Sequence, residues 1–242
     1  MSEARPLVVV VGLKAEARVA GRIAGAKVVA GGGDSRRLAL ALESAVAGAR
    51  GVLSFGIAGG LDPALAPGTA LLAREIVAPD GTRHRADPRL FAALSEALGA
   101  PGAIFAGVDA ATASAREKAA LRLATGASLV DMESHVAARA AARLGLPFAA
   151  LRVVADPAGA ELPHAALVAM RPDGGIALSP LLRSLARDPR QIVGLARAAR
   201  DARAAFKSLF RGGQALGLAL PDFGELVLHV PAEDEFGRPL PV

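Results

Sequence analysis

Residues 128–156 constrain the fold more than any other stretch of this chain. Ser128 to Met132 is a short apolar run, Ala137 to Leu144 is Ala-rich and helical in character, Gly145-Leu146-Pro147 breaks that pattern, and Phe148 to Val154 is a second apolar run. Apolar runs without alternation belong to strands buried on both faces. The stretch therefore reads as strand, helix, strand. Val130-Asp131-Met132-Glu133-Ser134 and Arg152-Val153-Val154-Ala155-Asp156 each set a carboxylate where such a strand meets a helix or loop. Two acids at the rim of a sheet suit two tasks. One can hold a diol by accepting from both hydroxyls, and the other can give a proton to a leaving group.

The remainder repeats the alternation. Strands are expected at Leu7 to Val11, Lys27 to Ala30, Gly51 to Ile57, Thr69 to Val77 and Ala103 to Val108. Helices are expected at Ala15 to Ile23, from Asp34 or Ser35 to about Ala49, from the Asp87-Pro88 cap through Leu98, and at Ala115 to Thr125. The expected architecture is α/β: a three-layer α/β/α sandwich on a central mixed, largely parallel sheet. Gly12, Gly31, Gly59, Asp109, Glu133 and Asp156 all fall just beyond strands, where ligands bind in open α/β sheets. From Leu181 the pattern is helical. Asp188-Pro189 begins a long helix to about Arg211, with Ile192, Leu195, Ala199, Ala202, Phe206 and Leu209 on one face and Arg190, Arg197, Arg200, Arg203, Lys207 and Arg211 on the other. The expected division is a domain over 1–211 and a Pro-rich C-terminal extension over 212–242.

Composition removes several function classes. The chain has no cysteine, which excludes disulfides, thiolate metal sites and a cysteine nucleophile. His84, His135, His164 and His229 show no metal-ligand spacing, so no metal is expected. Aromatic residues are 3% with no Trp or Tyr, which leaves no stacking platform for nucleic acid. Met1 to Pro6 does not read as a signal peptide. No uncharged apolar run approaches the roughly 18–20 residues of a spanning helix. A soluble, cytoplasmic protein is the expectation.

Phe55-Gly56-Ile57-Ala58-Gly59-Gly60-Leu61, Val130-Asp131-Met132-Glu133 and Arg152 to Asp156, in that order, resemble the nucleoside phosphorylase/nucleosidase superfamily from about Leu7 to Leu209. Order and spacing are similar to those of 5′-methylthioadenosine/S-adenosylhomocysteine nucleosidase. Gly31-Gly32-Gly33-Asp34, Pro79-Asp80-Gly81 before His84-Arg85-Ala86-Asp87, and Asp131-Met132-Glu133-Ser134 look most like the hopanoid-associated phosphorylases. That resemblance implies release of adenine from adenosylhopane, a nucleoside carrying a triterpenoid at its 5′ carbon.

The resemblance also implies roles. Asp156 would protonate or hydrogen-bond N7 of adenine, where the bland reading is a cap on the loop at Pro157. Glu133 would accept the ribose hydroxyls, where the residue alone reads as a first-turn Glu favoured by the helix dipole. Met132 would pack on the sugar, or simply fill the core. Glu16 would activate water, or lie exposed beside Arg18 or Lys14. Gly59, Gly60 and Gly32 would bring backbone N–H groups to a phosphate or sugar oxygen, and Asp109 would sit near the base. Three departures stand out. The base-stacking aromatic is replaced by Ala110 and Ala111, the hydroxyl residue of the Gly-rich turn is Ile57, and the one before the acid is Ala155. Inorganic phosphate and water both stay open as nucleophile, with Arg36, Arg37 and Arg74 as candidate phosphate partners. No cofactor is implied. The expected partners are a small or lipid-linked adenine nucleoside and other copies of the chain in a homo-oligomer. The basic helix is either a membrane-surface contact or an ordinary solvated face. A general 5′-methylthioadenosine/S-adenosylhomocysteine nucleosidase or a purine nucleoside phosphorylase, and a non-catalytic nucleoside-binding protein, are the alternatives.

Overall fold

The structure is a computed structural model that describes residues 5–169, 171, 174–175 and 177–219. Strand β1 (Leu7–Val11) is buried along its whole length. It pairs in parallel with β2 (Ala26–Ala30) on one edge and β3 (Gly51–Gly60) on the other. Alternate side chains of β1 enter two different cores. Leu7, Val9 and Val11 pack with Ala20, Leu90, Leu209 and Leu216, while Val8 and Val10 pack with Leu38, Leu42, Ala137 and Ala141. Helices α1 (Lys14–Ala20), α3 (Pro88–Leu98) and α8 (Gln191–Ala219) cover the first face. Helices α2 (Ser35–Ala45) and α5 (Ser134–Arg143) cover the second. The three-layer arrangement therefore follows from continuous apolar strands that need cover on both sides.

The sheet is mixed. Strand β8 (Phe148–Asp156) runs parallel to β3 and antiparallel to β4 (Ala70–Val77). In turn β4 pairs in parallel with β6 (Gly102–Gly107), and β6 with β7 (Leu129–Asp131). Strand β7 then returns to β3, antiparallel, with Gly59 opposite Val130 and Gly60 opposite Leu129. Strands β3, β8, β4, β6 and β7 thus close a ring. The short β5 (Arg83–Arg85) adds to the outer edge of β4. Two helix starts, at Asp34 and Asp87, agree with their expected caps, and a third is capped by Ser114. Asp34 accepts from the N–H of Arg37, Asp87 from Arg89 and Leu90, and Ser114 from Glu117 at the head of α4 (Ala115–Thr125).

The C-terminal region differs from the expectation. Two further helices, α6 (His164–Ala169) and α7 (Leu178–Arg187), precede α8. Helix α8 does not stop at Arg211 but runs through Gly212-Gly213 to Ala219. The glycines act here by being small. A Cβ at Gly212 would stand 3.3 Å from Leu151 Cδ2, and one at Gly213 would stand 2.9 Å from Val19 Cγ1. The pair lets the helix lie close on β8 and α1, and Leu216 beyond it is fully buried. The boundary expected at residue 211 falls inside this helix, so packed chain reaches at least Leu216; residues 220–242 lie outside the described residues.

Leu216→Ala is expected to cost about 2–4 kcal/mol of stability in a denaturant melt. Leu123→Ala, at a side chain 90% exposed, should stay within about 0.5 kcal/mol of wild type. Equal effects would contradict the docking of the last turns of α8.

Candidate active site

The site is organised around Arg152, in the middle of β8 and fully buried. Its Nη2 donates to Ser54 Oγ of β3 (2.8 Å), Asp131 Oδ1 (3.2 Å) and Glu133 Oε2 (3.2 Å). Nε donates to Ser134 Oγ (3.3 Å) and Nη1 to the carbonyl of Ile57 (3.4 Å). A buried cation is tolerated only when paired and hydrogen-bonded, and here every nitrogen of the fork has an acceptor. Asp131 also holds the first turn of α5, accepting from the N–H groups of Glu133 (2.9 Å) and Ser134 (2.6 Å). One carboxylate thereby fixes the start of the helix and the approach of Glu133.

Glu16 enters the same cluster from α1. It is 1% exposed, which overturns the reading of an exposed residue paired with Arg18 or Lys14. Its Oε2 accepts from the N–H of Gly12 (2.8 Å) and Leu13 (2.7 Å), and Oε1 from the N–H of Ile57 (2.7 Å). Two glycines are required by close approach. A Cβ at Gly56 would stand 2.4 Å from Glu16 Oε1 and 2.5 Å from Arg152 Nη1, and one at Gly12 would stand 2.6 Å from Glu133 Oε1.

One guanidinium therefore faces three carboxyl groups, Asp131, Glu133 and Glu16. Burial pushes Glu133 up to about 7, with Arg152 opposing and Asp131 and Glu16 adding to the rise. Burial also raises Glu16, against Arg152 and its three backbone donors. The cluster consequently retains a proton close to neutrality, the condition for acid–base work.

The second acid lies at the other edge of β3. Asp156 is opposite Gly59 in the register, while Val130 is opposite Gly59 on the β7 side. The two acid-bearing strand ends of the sequence reading thus meet at one strand. Asp156 borders a cavity of about 880 Å³ shared with the loop after β8 and with α7 and α8. Its carboxylate pairs with Lys118 of α4, a fully buried lysine. Burial raises the Asp156 carboxyl above its usual range, and Lys118 pulls it back.

Gly32, Met132 and Asp109 line a separate cavity of about 640 Å³ with Gly33, Ser35 and Arg36. Met132 reaches Gly33, where a Cβ would be 3.6 Å from its Cε, and a Cβ at Gly31 would be 3.5 Å from Glu133 Cγ. Asp109 is exposed, its carboxylate meeting Nε2 of the buried His135 at 3.2 Å. The expected donor roles of the glycines need correction. The N–H of Gly32 is spent on the carbonyl of Gly12 (2.9 Å). Gly59 and Gly60 are strand residues flanked by β7 and β8, not an open turn; Asp156 Oδ2 and Val130 Cγ1 stand 3.3 and 3.0 Å from where a Gly59 Cβ would be. Arg74 stacks over Phe91, 4.9 Å from the ring centre. No group of metal-ligating side chains occurs among the described residues.

The sequence reading missed Arg152 and Lys118 as site residues. An Arg inside the apolar run from Phe148 to Val154 was the available signal for the first. Lys118, between Arg116 and Arg122 on a polar helix, offered none.

The raised Glu133 carboxyl has a definite sign for stability. Between its ordinary 4.5 and about 7 the folded protein holds a proton that the unfolded chain has lost. Stability contributed by this group is therefore full below about 4.5 and declines as pH rises through about 7. Glu133→Gln is expected to flatten that decline in denaturant melts run across the interval, leaving whatever slope Glu16 contributes. An unchanged slope would remove Glu133 as its source.

No curated protein matches the sequence at a significant level. Solved structures do match in fold. The futalosine hydrolase of Helicobacter pylori strain 26695 superposes with a TM-score of 0.60 at 18% identity, covering 76% of this chain and 98% of that one. A 5′-methylthioadenosine/S-adenosylhomocysteine nucleosidase from Colwellia psychrerythraea 34H, in complex with adenine, gives 0.59 at 18% identity over 76% and 96%. A mutant nucleosidase of the same kind from Helicobacter pylori, with 5′-methylthioadenosine in its active site, gives 0.61 at 15% over 86% and 98%. At these identities the likeness is one of fold. The sequence profile described as Phosphorylase superfamily matches residues 19–187, well over half of the chain, and the protein belongs to that superfamily.

Proposed function

We propose that the protein hydrolyses the N-glycosidic bond of an adenine nucleoside, with adenosylhopane as the substrate that the sequence resemblance names. The observation that carries the hydrolytic reading is the cage around Glu16. The N–H groups of Gly12, Leu13 and Ile57 all serve its carboxylate. They are unavailable to a phosphate, and the carboxylate would repel one. Water remains, with Glu16 held as the base that takes its proton.

In this reading Glu133 accepts the 2′- and 3′-hydroxyls and supports the positive charge that develops on the sugar. Asp156 gives a proton to N7 as the C1′–N9 bond breaks, so adenine leaves neutral. Water attacks C1′, its proton passes to Glu16, and the ribosyl product keeps the oxygen. A raised Asp156 carboxyl suits a donor, and the residual charge on the Glu133 cluster suits an oxocarbenium-like sugar.

For a lipid-linked substrate the outer surface of α7 and the start of α8 is the supporting feature. Leu178, Leu182, Ile192 and Val193 are 67%, 62%, 54% and 68% exposed, and Arg183, Arg187 and Arg190 are exposed in the same segment. Apolar side chains beside arginines suit a peripheral contact with a bilayer, and the patch reaches from α7 into only the first turn of the 189–211 helix that the sequence suggested. No helix among the described residues is long and apolar enough to cross a membrane. The fold likeness to nucleosidases crystallised with adenine and with 5′-methylthioadenosine favours a second reading, a nucleosidase for small 5′-thio nucleosides. As in the sequence reading, a homo-oligomer belongs to the same proposal.

Adenine release should be measured from adenosylhopane and from 5′-methylthioadenosine, each with and without phosphate. Phosphate-independent release is expected, strongest from adenosylhopane. Asp156→Asn and Glu16→Gln should each lower kcat by about 10²–10⁴-fold while an adenosine analogue still binds. Phosphate dependence would overturn the hydrolytic reading, and preference for methylthioadenosine would favour the second reading. No release from any adenosyl compound would leave a nucleoside-binding protein.

A further inference from the structure

Lys118 is the one large cation buried on α4, and its surroundings are unusually complete. The ammonium donates to Asp156 Oδ2, to the carbonyl of Pro157 (3.0 Å) and to the carbonyl of Ala160 (3.1 Å). An ammonium has three N–H donors, and all are used. The segment it gathers is closed on itself by the N–H of Ala160 on Pro157 O (2.9 Å). It is tied back to the approach to α4 by the N–H of Leu162 on Ala113 O (2.9 Å). Ala155, which precedes the acid, has no polar side-chain atom that could orient it.

We propose that Lys118 is a positioning residue for Asp156, committing Oδ2 and the 156–160 loop so that Oδ1 is presented to the purine. The inference rests on the nucleosidase reading of Asp156. A lysine that merely filled space would be a costly choice, because burying an ammonium is unfavourable without full compensation. Here the compensation comes entirely from the acid and the loop that carries it. Removing the charge should therefore disturb both the geometry and the titration of Asp156.

The other charged groups around Asp156 set the sign. Asp201 of α8 faces it and adds to the rise of its carboxyl, while Lys118 opposes that rise. Glu161 and His164 from the loop and start of α6, Arg187 and Asp188 at the end of α7, and Arg190 and Arg197 around the start of α8 line the same cavity. These remain in place when only Lys118 is changed. Neutralising Lys118 leaves burial and Asp201 unopposed, so Asp156 should hold its proton to higher pH.

The test uses Lys118→Gln, which keeps donors for the two carbonyls without the charge, and Lys118→Arg, which keeps the charge. The readouts are kcat/KM for adenine release against pH and adenine affinity by calorimetry over the same range. In Lys118→Gln the basic limb of both profiles should move up by about 1–3 pH units, the effect of losing an adjacent opposite charge, with kcat at the optimum at least ~10-fold lower. Lys118→Arg should keep the limb near its wild-type position. Thermal melts of both variants establish that they fold; should Lys118→Gln not fold, Lys118→Met is measured in the same way. A neutral variant whose limb stays in place, with activity reduced equally at every pH, would overturn the proposal in favour of a structural lysine. Asp156→Asn should abolish the limb; if it instead retains activity and the limb, the reading of Asp156 itself fails and the role of Lys118 falls with it.

Discussion

The sharing of the Arg152 guanidinium among Asp131, Glu133 and the β3 residues Ser54 and Ile57 is the interaction on which the rest depends. It joins the middle of β8, the end of β7, the start of α5 and the body of β3 at one buried point. Without the cation, carboxyl groups would crowd a dry pocket; without the carboxyls, a charge would lie unpaired in the core. Neither half is tolerable alone, and breaking one side of such a buried arrangement typically costs about 3–5 kcal/mol. The glycines at 12 and 56 belong to the same constraint, since any side chain there would occupy the space of the charged groups themselves.

This arrangement explains how one end of the sheet can support two acids of different character. Glu133 and Glu16 sit in a cluster whose single cation is outnumbered, so a proton is retained near neutrality. Asp156 ends β8 beyond Arg152, has its own cation in Lys118, and opens on a cavity. Environment rather than residue type distinguishes the carboxyls. A reaction that needs a proton given on one side of a sugar and taken on the other has use for such a difference.

Much of this was legible in the sequence, for identifiable reasons. Continuous apolar runs such as Leu7 to Val11 marked strands covered on both faces, and Asp34 and Asp87 marked helix starts, because both signals are local. The pairing of β3 with β7 at Gly59 and Gly60 depends on residues some 70 positions away, and no local pattern announces it. Strand β5 escaped notice because Arg83, His84 and Arg85 form a polar edge with one neighbour. Gly212-Gly213 misled because a glycine pair ordinarily ends a helix, whereas here smallness against Val19 and Leu151 outweighed helix propensity. Glu133 and Asp156 were visible as acids at strand ends. Of the cations that govern them, Arg152 stood out only as a charge inside an apolar run and Lys118 not at all, since pairing of a buried charge is a tertiary fact.

The closed ring of β3, β8, β4, β6 and β7 has a mechanical consequence. An open sheet can flex by changing its twist, and groups on separate strands then drift relative to one another. A ring removes that freedom, because each strand is held at both edges and a shift of one must be accommodated by all. Arg152 and Asp156 are carried on the ring itself, and Glu133 follows β7 at the head of α5. The spacing between the Arg152 cluster and Asp156 is therefore set by the ring and not by the connections that leave it.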